Sequence, residues 1–184
     1  TLSDGTVLYA GEAVGDITES GKRRIQIREN ILSHLDQESK LFSKGIKVLS
    51  LFFIDEVAKY RQYDDDGSER LGEYGEMFEQ EFRSIIAERG KFYDPDYIEY
   101  LTNTEVSKIH SGYFSIDKKG RAIDSEVKRG QDGSQDVSAY DLILKNKELL
   151  LSQSNPVRFI FSHSALSEGW DNPNVFQICA LKHS

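Results

Sequence analysis

The run Ile46-Lys47-Val48-Leu49-Ser50-Leu51-Phe52-Phe53-Ile54 constrains this chain more than any other feature. Only Lys47 and Ser50 interrupt its apolar character. A strand with one wet face alternates apolar and polar side chains, whereas a strand covered on both faces has no need to. The run therefore predicts a strand in a parallel sheet with layers packed on both sides. Val157-Arg158-Phe159-Ile160-Phe161 and Val175-Phe176-Gln177-Ile178-Cys179 read as further strands of the same kind.

Between these runs the spacing turns helical. Residues 22–44 carry Ile27, Ile31 and Leu35 at four-residue intervals, with Ile25 and Leu32 seven apart, and Gly45 supplies a stop. A second helix is predicted over 69–89 from Tyr74, Phe78, Phe82 and Ile86, ending at Gly90. Asp94-Pro95 reads as a cap and first-turn proline for a short helix through Leu101. Residues 105–123 read as a hairpin turning at Asp117-Lys118-Lys119-Gly120, and 124–136 as a polar loop. Ser138 and Asp141 open a helix carrying Ile143, Leu144, Leu150 and Leu151, while residues 1–21 read as a lead-in loop or hairpin. Helix alternating with buried strand is the pattern of an open α/β sheet, here interrupted by a mixed insertion at 62–136.

The 184 residues, 38% hydrophobic and 11% aromatic, suffice for one large domain with a core. A net charge of −8 argues against a free-standing nucleic-acid binder, although a basic strip can sit on an acidic body. The single cysteine, Cys179, excludes a disulfide framework and a cysteine-rich zinc site, and fits a reducing cytoplasmic setting. No apolar run is long enough to span a bilayer, so no membrane association is expected. The chain begins at Thr1 and stops at Ser184 just after an apolar run, so both ends are expected to be cuts in a longer protein.

Chemistry concentrates in residues 159–178. A buried strand ends there at Ser162-His163-Ser164, and ligands of open α/β sheets bind outside the carboxyl ends of the strands. Hydroxyls and backbone N–H groups at such a point can hold a phosphate. Gly169 permits close backbone approach, Asp171 can accept from a ribose hydroxyl, and Pro173 stiffens entry into the next strand.

Ala165-Leu166-Ser167-Glu168-Gly169-Trp170-Asp171-Asn172-Pro173-Asn174-Val175 resembles motif V of superfamily-two helicases, in the form found in restriction subunits of type III restriction enzymes. Arg24–Glu29 and Val48–Asp55 are similar to that family's lead helix and motif IV strand, and His110–Arg121 and Ala139–Lys145 to its insertion. The resemblance implies that residues 1–184 are the second RecA-like domain of a motor that closes with a first on ATP and Mg²⁺ while double-stranded DNA lies across both. Ser162, His163 and Ser164 are then the DNA-side residues, and Gly169 and Asp171 the nucleotide-side residues. His163 stands where the family's usual phosphate-contacting threonine belongs, a departure from its pattern. The resemblance also implies further partners: a nuclease domain further along the same chain and a separate modification methyltransferase subunit.

No G-x-x-x-x-G-K-[ST] loop is present. Gly15–Arg23 comes nearest, with one residue too many between its glycines and Arg23 where Ser or Thr should stand. Catalytic glutamate and magnesium ligands are therefore assigned to the first domain, and no catalytic residue or metal ligand to this chain. Two other readings stay open: an unrelated nucleotide-binding α/β protein, and an interaction module docking a partner through 62–136, where Tyr93, Tyr97 and Tyr100 would be exposed. Among individual residues, Lys22-Arg23-Arg24 with Arg28 is either a phosphate contact or an exposed helix face, and Asp64-Asp65-Asp66 reads as a solvated loop. His34 and His110 lack metal-ligand spacing, and Trp170 and Cys179 read as buried.

Overall fold

A computed structural model describes residues 18–117, 119–124, 147–163 and 175–181, with backbone alone at 147, 175 and 176. The readings at 1–17, 125–146 and 164–174 lie outside the described residues, and with them the Ser138/Asp141 helix start and Trp170.

Helix α1, Glu19–Phe42, begins where Thr18 accepts a hydrogen bond from Gly21 N–H and Glu19 faces the positive helix end. Ile27, Ile31 and Leu35 are fully buried, as their spacing predicts, but Ile25 lies on the outer face, 51% exposed. The chain leaves the helix through Gly45 at φ +70°, a conformation a β-carbon disfavours. Strand β1 is Leu49–Ile54, three residues shorter than the apolar run. The reason is local: Val48 N–H donates to the Glu38 carboxylate instead of to a strand.

Residues 69–71, expected as helix, form strand β3 (Glu69–Leu71), antiparallel to β2 (Arg61–Tyr63). Gly72 forces the difference, because a β-carbon there would strike the backbone at Ala58 and Lys59, and its N–H donates to Tyr60 O. Helix α2, Glu73–Arg89, follows and buries Tyr74, Phe78, Phe82 and Ile85. Helix α3, Pro95–Thr102, starts where Asp94 accepts from Tyr97 N–H, the cap its sequence predicts.

The hairpin expected over 105–123 divides into three. Val106–Ile109 is a helical turn, α4. His110–Tyr113 is β4, which joins the main sheet parallel to its neighbour. Only β5 (Ser115–Ile116) and β6 (Ala122–Ile123) pair as a hairpin, with Gly120 at φ +78° in the turn. Part of the 62–136 stretch thus lies within the layered body. Helix α5 (Lys147–Leu151), β7 (Phe159–His163) and β8 (Val175–Leu181) complete the described elements.

The main sheet runs β4-β7-β1-β8, all strands parallel, consistent with an α/β RecA-like fold flanked by helices. Alternation along β1 sends Ser50, Phe52 and Ile54 toward α1 and α2, and Leu49, Leu51 and Phe53 toward α5. On the first face Phe52 stacks on Phe161 at 4.7 Å and Phe78 meets Phe159 at 4.8 Å. On the second, Leu150 of α5 covers Leu49, Leu51 and Ile160. Each such buried side chain stabilises the fold by about 1.5–3 kcal/mol relative to exposure. No described helix is long and apolar enough to cross a membrane.

Candidate functional site

Because the strands are parallel, their carboxyl ends gather on one edge: Ile54 of β1 lies beside His163 of β7 and Leu181 of β8. Strand β7, the start of the segment singled out from sequence, ends at this edge with His163. Ser164, Gly169 and Asp171 lie outside the described residues.

His163 Nε2 is 2.8 Å from the carbonyl oxygen of Asp55, the residue after β1. A carbonyl only accepts, so Nε2 carries the proton and donates. Asp124 Oδ1 stands 3.8 Å from the same nitrogen, while accepting a 2.6 Å hydrogen bond from Val57 N–H. Three chain segments meet here: the exits of β1 and β7, and the residue ending the β5–β6 hairpin.

Ser162 is placed differently from the expectation. Strand alternation puts it on the Ile160 side, it is fully buried, and among the described residues its hydroxyl has no hydrogen-bond partner. Its side chain therefore offers nothing to a ligand outside the sheet edge. Beside the edge lies a groove of about 510 Å³ walled by Val57, Ala58, Arg61, Tyr63, Arg70 and Asp124. Arg61 and Arg70 in this wall pair with Glu69 at 3.5 Å and Asp64 at 3.0 Å.

Several residues weighed from sequence have structural partners. Lys22 pairs with Glu19, and Arg24 and Arg28 share the Glu81 carboxylate, so this cluster's charge is matched by acids. Within Asp64-Asp65-Asp66, Asp66 accepts from Ser68 and Asp64 from Arg70, an ordinary turn. His34 bridges Ser50 and Glu38, and His110 bridges the Tyr60 hydroxyl and Glu79. Burial lowers the pKa of His110 against the opposing pull of Glu79. No grouping that could hold a metal occurs among the described residues. Tyr97 is fully buried and Tyr93 and Tyr100 pack against the core, which corrects their reading as exposed docking aromatics. Cys179 is half-buried against the same core, and burial raises its thiol pKa.

Sequence reasoning missed Asp55 and Asp124. Asp55 carried a signal, being the first polar residue after the apolar run. Asp124 carried none, since its partners Val57 and His163 are distant in the chain.

Comparison with known proteins supplies relatives. No family model matches. The whole chain is 37% identical over 194 residues to the type III restriction-modification enzyme EcoP15I Res subunit of Escherichia coli, spanning 18% of that protein. It is 39% identical over 194 residues to the EcoPI Res subunit of Escherichia phage P1, again spanning 18%. The StyLTI Res subunit of Salmonella typhimurium is 33% identical over 210 residues, with 20% of its length spanned. The chain thus spans about a fifth of the length of each relative and matches each along all of its own length.

Proposed function

We propose that this chain is a segment of a type III restriction–modification Res subunit, and that it forms the second RecA-like motor domain of an ATP-driven DNA translocase. The observation that carries the reading is the position of Ser162 and His163 at the carboxyl end of β7, a strand that lies between parallel neighbours β4 and β1. That is where open α/β sheets hold ligands, and it is where a motif V must stand to touch DNA on one side and nucleotide on the other. Similarity to Res subunits along the whole chain supports the same assignment.

In this reading His163 and Ser164 meet the DNA backbone, and Gly169 and Asp171 face ATP. Ser162 is buried within the sheet. The chain contains no phosphate loop, so the catalytic glutamate and the Mg²⁺ ligands belong to the first motor domain of the same subunit. Closure of the two domains on ATP and release after hydrolysis would shift the grip on double-stranded DNA. Cleavage belongs to a nuclease domain and site recognition to a modification methyltransferase partner. The 184-residue chain alone is expected to hydrolyse no ATP and cut no DNA.

The test is Asp171→Ala in the full-length subunit. ATP turnover should fall at least about tenfold, the cost of one lost charge-assisted contact, with the unfolding temperature unchanged. Wild-type turnover would remove Asp171 from the nucleotide site.

A further inference from the structure

Asp124 lies outside every segment that resembles a helicase motif, yet it reaches the carboxyl edge from the side. We propose that Asp124 is a positioning residue for His163, so that the β5–β6 hairpin sets the geometry of the DNA contact. The inference rests on the reading of His163 as that contact.

The Asp124 carboxylate is fixed although the side chain is 54% exposed. Its Oδ1 accepts the 2.6 Å hydrogen bond from Val57 N–H, short enough to be charge-assisted. The hairpin behind it is held too. Ala122 N–H donates to the Tyr63 hydroxyl at 2.8 Å, and Asp117 accepts from the N–H groups of Lys119 and Arg121 across the turn. A continuous path therefore runs from β2 through Tyr63 and Ala122 to Asp124, and from there to Val57 and His163.

At the imidazole, Nε2 faces the Asp55 carbonyl at 2.8 Å and the Asp124 carboxylate at 3.8 Å. Both are acceptors. The carbonyl takes the Nε2 proton, and the carboxylate, outside hydrogen-bond reach, orients the ring through its charge. A carboxylate beside one nitrogen of a histidine commonly plays this part, setting how the other nitrogen, which must itself carry a proton to donate to a phosphate oxygen, meets a ligand. A carboxylate repels phosphate, so its position so close to a DNA-side residue calls for such a function. The hairpin thereby becomes part of the DNA-responsive edge, and a displacement of β5–β6 would turn the His163 ring.

The experiment uses the full-length Res subunit assembled with its modification subunit on double-stranded DNA, reading the DNA concentration that half-saturates ATP hydrolysis. His163→Gln is expected to raise it about tenfold and Asp124→Asn about threefold to tenfold, with the double variant no worse than His163→Gln alone, as for two residues acting through one contact. The amide of Asp124→Asn keeps an acceptor for Val57 N–H, so thermal unfolding should stay at the wild-type temperature. If His163→Gln weakens DNA use while Asp124→Asn matches wild type, or if the two effects add, the positioning inference is overturned and the DNA reading stands. If His163→Gln matches wild type, the DNA reading fails and the inference with it.

Discussion

The two edges of the main sheet are built on opposite plans. At the amino edge, where β1 and β7 begin, a polar network is sealed from water: Glu38, His34, Lys47, Arg158 and Tyr97 are each no more than 1% exposed. Glu38 Oε2 alone accepts from Arg158 Nε at 2.8 Å, the Tyr97 hydroxyl at 2.7 Å and His34 at 3.2 Å, while its Oε1 takes Val48 N–H. Lys47 donates to the carbonyls of Ser152 and Asn155, locking the turn between α5 and β7 onto the start of β1. At the carboxyl edge His163 and Asp124 lie nearer water, with His163 donating to the Asp55 carbonyl and Asp124 54% exposed. An edge whose groups are saturated by the protein cannot exchange them for a ligand, whereas an edge with looser partners can. The contrast fits the proposed reading, because ligands of parallel α/β sheets bind outside the carboxyl ends of the strands.

The largest expected effect breaks the first plan. Glu38→Gln removes the one carboxylate that, among the described residues, pairs with the buried Arg158 guanidinium, and breaking a buried pair from one side costs about 3–5 kcal/mol. Burial pushes the Glu38 carboxyl upward, but His34, the Arg158 charge and the Tyr97 hydroxyl outweigh it and bring the pKa down from 4.5 to about 2. A depressed folded value means the contribution is complete above 4.5 and is lost as pH falls toward about 2. Urea unfolding of wild type should therefore weaken across that window, and Glu38→Gln should be less stable at pH 7 and much flatter below. Equal stability of the two at pH 7 would mean the network does not hold the edge.

A smaller effect sits beside it. Burial, then the Arg158 charge, lowers Lys47 from 10.5 to about 7, with Glu38 pulling the other way. Between those values the unfolded chain holds more protons than the folded one, so stability should rise as pH climbs from 7 to 9. Lys47→Met keeps the apolar stem and should abolish that rise. An identical slope in both proteins would show that the two carbonyls keep Lys47 charged throughout.

How much of this was legible follows from where each signal lived. The strands of the core showed in their apolar runs, and the Asp94 cap in a dipeptide, because both are local. Strand β4 showed only as part of the expected hairpin and not as a member of the main sheet, because His110-Ser111-Gly112-Tyr113 has no apolar run. It fits the sheet because Gly112 lets the rings of Tyr60 and Phe114 close over it, a contact no short window contains. The amino-edge network left only a faint trace, Lys47 and Arg158 interrupting runs that were otherwise apolar, since Glu38 and Arg158 meet across 120 residues. At the candidate site, motif resemblance singled out the end of β7 and His163, but it could not foresee that alternation turns Ser162 inward or that Asp124 stands beside His163 from a hairpin.

Ser162 gives the smallest effect and sharpens the comparison. Its hydroxyl is buried, and among the described residues it lacks a partner, which is the reverse of the amino edge, where Glu38 collects four donors. A buried hydroxyl without a hydrogen bond costs about 1–3 kcal/mol, so Ser162→Ala should leave stability unchanged or raise it by about 1 kcal/mol. Its effect on DNA use in the full-length subunit should be nil, because the side chain faces the α5 layer. Both outcomes together would mark Ser162 as a hydroxyl the fold leaves unsatisfied. Destabilisation beyond about 1 kcal/mol would instead show a hydroxyl bonded as firmly as those at the amino edge, and the two ends of the sheet would then differ in exposure alone.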